Sequence, residues 1–159
     1  HDFCVGCGRC IGSCNFDAIE SPNDESNDIL NKKIAEYTYA VVNGRPNFHI
    51  SLVVDVSPFC DCHGENDLPI VPDVGMFASF DPVALDMACV DACKKQQVIK
   101  GSYLEEQYSE HEHCDCHHHS HASKDHFGIT HPDTNWEVGI DHAVKLGLGN
   151  KEYELVVVK

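Results

Sequence analysis

Four cysteines near the start of the chain, Cys4, Cys7, Cys10 and Cys14, stand in the run Cys-Val-Gly-Cys-Gly-Arg-Cys-Ile-Gly-Ser-Cys. The spacing C-x2-C-x2-C-x3-C is that of bacterial ferredoxins, and it calls for a [4Fe-4S] cluster. A cubic cluster needs thiolates that converge on a small volume, and two-residue spacers wrap a tight loop around it. Gly6, Gly8 and Gly12 let the backbone approach the sulfurs where a Cβ would crowd them. A zinc ribbon would use two separated pairs, and a disulfide knot has no reason to hold this period. In two-cluster ferredoxins the fourth cysteine of such a run ligates the other cluster. Two arrangements are therefore open: Cys14 closes the same cluster, or it reaches a second one completed by a run outside this chain. No second copy of the long run occurs in the 159 residues.

A second constellation is the tetrapeptide Cys-Asp-Cys-His, present as Cys60-Asp61-Cys62-His63 and again as Cys114-Asp115-Cys116-His117. Residues two apart in an extended backbone point to the same side, so each C-x-C pair can present two thiolates to one ion. Thiolate with imidazole suits zinc or an iron–sulfur centre better than magnesium or calcium. The expected metal ligands are Cys60, Cys62, His63, Cys114, Cys116 and His117. If the two loops meet, the two pairs supply the four ligands of a closed tetrahedral site. The plainer alternatives are a pair of neighbouring thiols at the first copy and an accident of composition at the second. That second copy lies within the tract His111 to His121, which binds transition metals by composition alone or stays a solvated loop.

Other candidates carry less chemistry. Cys89 and Cys93 are four apart on an expected helix and read as small core residues. Of Asp55, Asp61, Asp67, Asp73 and Asp81, some are expected to line a site and most to serve as turn and cap residues. No Ser/His/Asp triad, phosphate-cradling glycine loop or paired-carboxylate motif is evident, and catalytic residues are not assigned.

These groups must be positioned by a modest set of elements. Residues 1–20 are expected to form the ferredoxin-like iron–sulfur segment, and 21–27 a polar linker. A helix is expected from about Asp28 to Asn43, with Leu30, Ile34, Tyr37 and Val41 on one face, ended by Gly44 and Pro46. Phe48 to Val56 reads as a buried strand and Val74 to Ser79 as a second, with a long loop from Ser57 to Asp73 between them. Asp81 caps a buried helix with Pro82 at its first position, running to about Lys95. Residues 101–133 lack a core pattern and read as a His/Cys-rich insertion. Trp136 to Leu146 is a helix stopped by Gly147, and Tyr153 to Val158 a closing strand. The expected fold is α/β: a small sheet with packed helices over 28–159, preceded by the iron–sulfur segment.

The chain holds 26 acidic and 11 basic residues, a formal net charge of −15. That argues against nucleic acid and anionic membranes as partners. Ten cysteines at metal-ligand spacings, not spread as a disulfide framework, point to a reducing compartment and a cytoplasmic location. No apolar run is long enough for a transmembrane helix. The first residue is His1 and the cysteine run follows almost at once, so the expectation is a piece of a longer protein.

Several stretches resemble domain of unknown function family 362, a group of iron–sulfur proteins. They are Ala35-Glu36-Tyr37, Ser57-Pro58-Phe59-Cys60-Asp61-Cys62, Asp67 to Gly75, Ala78 to Asp86, Leu146 to Gly149 and Tyr153-Glu154-Leu155. The resemblance implies a longer parent with a two-cluster ferredoxin module inserted in an α/β domain, this chain beginning at the second cysteine run. Asn15 stands where a proline usually follows such a run, and the His-rich insertion departs from the family pattern. The resemblance implies the cofactor and leaves the substrate open.

Three functions compete. The first is an iron–sulfur redox protein that passes single electrons to a redox partner protein and carries a second Cys/His metal site. The second is a metalloenzyme, such as an iron–sulfur-dependent oxidoreductase, with an open metal at the Cys60/Cys62 loop. The third is metal binding or delivery through the His-rich loop. A closed site favours structure, an open one catalysis, and reversible exchange at 111–121 delivery. Substrate, electron partner and oligomeric state are not legible in the sequence.

Overall fold

The computed structural model describes residues 13–15, 26–60, 66–112 and 125–158. The elements run α1 (Ser26–Val42), β1 (His49–Val53), β2 (Gly75–Ser79), α2 (Pro82–Lys94), α3 (Tyr103–Glu112), α4 (His126–Thr130) and α5 (Trp136–Leu146). The fold is mixed α/β, a two-stranded antiparallel sheet with packed helices. The ferredoxin-like segment, apart from residues 13–15, lies outside the described residues. Among the described residues no helix is long and apolar enough to cross a membrane.

The sheet pairs His49 with Ser79 and Val53 with Gly75. Side chains alternate across a strand, so His49, Ser51 and Val53 turn with Phe77 and Ser79 toward α2. Ile50, Leu52 and Met76 face the other way and are exposed. The expectation of a strand buried on both sides is therefore corrected. One helix layer covers one face, and no described element covers the other. Phe48 and Phe80 meet edge to face at 4.9 Å at one end of the ladder, Phe80 still 78% exposed. The closing strand expected at Tyr153–Val158 does not form either. The segment has no described ladder partner, and Leu155 to Val158 are exposed.

A similar inversion occurs on α1. Leu30, Ile34, Tyr37 and Val41 do share a face, but it points outward, with Tyr37 73% exposed. The face that packs against α5 carries Asn31, Ala35 and Thr38. Small residues decide this. A Cβ at Gly139 of α5 would lie 3.2 Å from the Asn31 carbonyl, so the two helices approach closely there. Ala35, Val83 and Ala143 form the buried centre, with Ile140, Val144, Leu146 and Leu148 around it. The Asn31 amide donates to the Asn135 carbonyl at 2.8 Å, and Asn27 donates to that of Asp133 at 3.1 Å. Lys33 and His142 flank the Glu36 carboxyl and hold it below its usual pKa.

Helix α2 starts as expected. Asp81 is its N-cap, accepting from the Ala84 amide at 2.9 Å, with Pro82 in the first turn. Its other carboxylate oxygen accepts from the Asn150 amide at 2.9 Å. A Cβ at Gly149 would collide with that carboxylate. Gly147 ends α5 in the left-handed region at φ 79°, its N–H bonding back into the last turn. The stretches around Asp81 and Gly147–Gly149, far apart in sequence, thus form one joint.

Residues 101–112 and 125–133 are not a patternless insertion. Helix α3 buries Leu104 completely against Ile70 and Val71, with Val56, Val98, Tyr108 and Ile129 around them. Ser102 and Glu105 form a capping-box-like start: Ser102 Oγ accepts from the Glu105 amide, and Glu105 accepts from the Gly101 amide at 2.6 Å. Helix α4 is capped by buried Asp125, which accepts from the Gly128 amide at 2.6 Å and from the Trp136 indole at 3.2 Å.

Asp81→Ala removes both a cap and the joint to Asn150, and is expected to lower unfolding free energy by about 1–2 kcal/mol in urea denaturation. Gly149→Ala should be destabilising to a similar extent, because its Cβ would push the Asp81 carboxylate off both the Ala84 and Asn150 amides. A Gly149→Ala midpoint equal to wild type would refute the joint. Leu104→Ala should cost about 2–5 kcal/mol.

Candidate functional site

The described part of the Cys60 loop is pinned residue by residue. Pro58 is buried. Its carbonyl accepts from His131 Nε2 at 2.6 Å, a tie from the end of α4. Ser57 Oγ donates to the Phe59 carbonyl at 2.9 Å. The Phe59 ring packs against Tyr103 at 5.1 Å and edge-on to His131 at 6.0 Å. Further along, the Ile70 amide donates to the Val56 carbonyl at 2.8 Å, and the Ile70 carbonyl accepts from Ile99 at 3.0 Å. The buried Ile70–Val71 pair thus returns the loop to the core.

Cys60 itself is exposed. It lines an open cleft of about 740 Å³ with Val54, Asp55, Ser57, Phe59, Asn66, Asp67 and Pro69. Asp55 adopts φ 48°, a left-handed conformation that Asp tolerates better than most residues. Its amide is held by the Asp73 carboxylate at 2.9 Å. Asp67 accepts from the Leu68 amide at 2.7 Å. The described acidic residues of this region therefore divide: Asp55 and Asp67 face the cleft, whereas Asp73 and Asp81 serve turns and caps, and Asp61 lies outside the described residues.

Among the described residues no three His, Cys, Asp or Glu side chains converge as a metal site. Cys62, His63, Cys114, Cys116 and His117 lie outside the described residues, as do Cys4, Cys7 and Cys10. Cys14 is described and half-buried. Both arms of the insertion nevertheless start from elements packed on the Cys60 loop, Tyr103 opening α3 and His131 closing α4.

Two histidines that no sequence motif marks, His126 and His131, are fixed in the structure. His126 is buried; its Nε2 lies 3.1 Å from the Gln96 carbonyl and its Nδ1 3.1 Å from the Tyr108 hydroxyl. A carbonyl only accepts, so Nε2 carries the proton and Nδ1 accepts from Tyr108. Both ring nitrogens are satisfied, which makes His126 a structural residue. Desolvation raises the Tyr108 pKa. The Ser102-x-x-Glu105 pattern and the Asp125 cap were local signals for the helices that carry these groups.

A separate group gathers between the sheet and α2. Burial raises the pKa of both the Cys89 and Cys93 thiols, with Ser51 bonding to Cys89. Neither favours the reactive thiolate, in keeping with core cysteines. Tyr153 donates to Asp91 at 2.8 Å, fastening the terminal segment to α2. Asp86 is exposed as a whole, yet partial desolvation of its carboxyl by neighbouring protein raises its pKa above the ordinary 3.8, partly offset by His49.

The domain of unknown function family DUF362 matches residues 5–91, more than half of the chain. The chain belongs to this family. The matched stretch takes in Cys7, Cys10, Cys14, Cys60, Cys62 and His63, the sheet and most of α2. The second Cys-Asp-Cys-His copy and helices α3 to α5 lie beyond it. No curated protein and no solved structure matches the chain.

The raised Asp86 pKa means that the folded state keeps a proton over a range where the unfolded state has lost it. Stability from this group therefore falls as pH rises from about 3.8 through the folded value. Asp86→Asn is expected to raise the urea midpoint near neutrality and to leave it unchanged well below the ordinary carboxylate value. An equal gain at both pH values would show that the charge is not the cause.

Proposed function

We propose that this DUF362 chain is an iron–sulfur redox protein with a second metal site in the Cys60 loop. Cys4, Cys7, Cys10 and Cys14 would hold a [4Fe-4S] cluster, which supplies one-electron transfer when bound. Support comes from the spacing of the run and from a family match that takes in three of its cysteines. Cys14 fits such a role in being half-buried between exposed Ser13 and Asn15.

The observation that carries the second site is the pinned Cys60 loop. A buried proline, a hydroxyl bond and two ring contacts fix the backbone up to a cysteine that is itself exposed. Fixing a loop in this way costs conformational freedom, and a residue presented by it is positioned for a ligand. Cys60, Cys62 and His63, with Cys114, Cys116 and His117 as further donors, are the residues that would hold zinc or another transition metal. The electrons would pass to a redox partner protein in a reducing compartment such as the cytoplasm.

A metalloenzyme is the second reading, favoured by the cleft. About 740 Å³ of open space lies beside Cys60, walled by Asp55, Asp67 and Ser57, enough for a small substrate. In that case the metal would keep an open coordination position.

Anaerobic preparations of the wild type, Cys10→Ala and Cys60→Ala, assayed for iron, sulfide and zinc, test the proposal. Cys10→Ala should lose iron and sulfide but keep the second metal. Cys60→Ala should keep iron and sulfide and lose the second metal. Unchanged metal content in Cys60→Ala would end the second-site reading, and a wild type that takes up no iron or sulfide would end the first.

A further inference from the structure

We infer that His131 is the positioning residue of the Cys60 loop, acting through the Pro58 carbonyl. The inference deepens the reading of Cys60 as a metal ligand and rests on it for its functional consequence. The bond joins residues 73 apart in sequence, His131 Nε2 to Pro58 O at 2.6 Å. Because the acceptor is a carbonyl, Nε2 carries the proton and donates. Pro58 is buried, so its carbonyl needs this partner, and one residue separates it from Cys60.

His131 is well placed to act as a fixed post. Its own amide donates to the Phe127 carbonyl at 2.9 Å. Its carbonyl accepts from the Thr134 amide at 3.1 Å and the Thr134 hydroxyl at 3.0 Å. The ring stands edge-on to Phe59, whose other neighbour is Tyr103. Behind it, α4 is anchored by the Asp125 cap and by His126 between Tyr108 and Gln96. Loss of the donor therefore leaves a buried carbonyl unpaired while α4 stays in place.

The cysteine lies within the family-matched stretch, whereas its post lies outside it. The residues after position 91 of this chain thereby set the position of a cysteine that the family stretch supplies.

The test compares the wild-type chain, His131→Ala and His131→Gln, whose amide can still donate. Hydrogen exchange of the metal-free proteins is followed over residues 57–60, and zinc ion affinity is measured with Cys60→Ala as the blank. His131→Ala should speed exchange at the loop by roughly tenfold or more. It should also weaken zinc binding by on the order of tenfold, with melting of the whole chain lowered by only a few degrees. His131→Gln should restore both. Exchange and affinity at wild-type values in His131→Ala would overturn the inference, as would equal losses in the Gln variant. Faster loop exchange with no Cys60-dependent zinc binding in the wild type would uphold the positioning role and remove the metal reading. If His131→Ala does not fold, His131→Asn, which keeps a polar cap for α4 but is too short to reach Pro58, replaces it with the same expected outcomes.

Discussion

Burial of Ile70 and Val71 against Leu104 is the constraint on which the candidate site depends. The stretch from Ser57 to Asp73 carries three prolines and four acidic residues, so it can neither form a ladder nor bury itself as a whole. Two consecutive apolar residues are enough to hold it. They sink into a core made by a helix much later in the chain. The Ile70 backbone then bonds on one side to Val56 and on the other to Ile99. With its return end fixed, the outgoing end can be pinned at Pro58 and Phe59, and Cys60 can stand at the wall of a cleft without closing it.

Buried polar groups carry out much of the remaining construction. Each has its partners, as a low-dielectric interior requires. Asp81 divides its two oxygens between the start of α2 and the turn after α5. Asp125 caps α4 and receives the Trp136 indole. His126 bridges Tyr108 and the Gln96 backbone. In a chain this acidic, much of the carboxylate charge is dispersed over the surface. Asp81 and Asp125, drawn inward, each receive backbone or indole N–H groups.

Apolar surface is distributed less as a sequence pattern would have it. Helix α1 turns its larger side chains outward and packs through Asn31, Ala35 and Thr38, where Gly139 allows a close approach. The sheet likewise buries one face under α2 and leaves Ile50, Leu52 and Met76 exposed. Amphipathic period identifies that an element has faces; which face is covered depends on where the covering layer lies.

Local chemistry was legible from the residues alone. The Asp81-Pro82 start of α2, the Gly147 stop of α5 and strand β1 follow from capping, turn and β-branched preferences that act within a few residues. The spacing of Cys4 to Cys14 and the repeated Cys-Asp-Cys-His are likewise properties of the chain itself, and the ligand roles read from them are proposals. Helices α3 and α4 had caps that could have announced them, but their polar composition hid Leu104. What only the tertiary structure decided was long-range. Gly149 meets Asp81, Tyr153 meets Asp91, and His131 meets Pro58. Such pairings are chosen by packing across the whole chain, and no local preference records them.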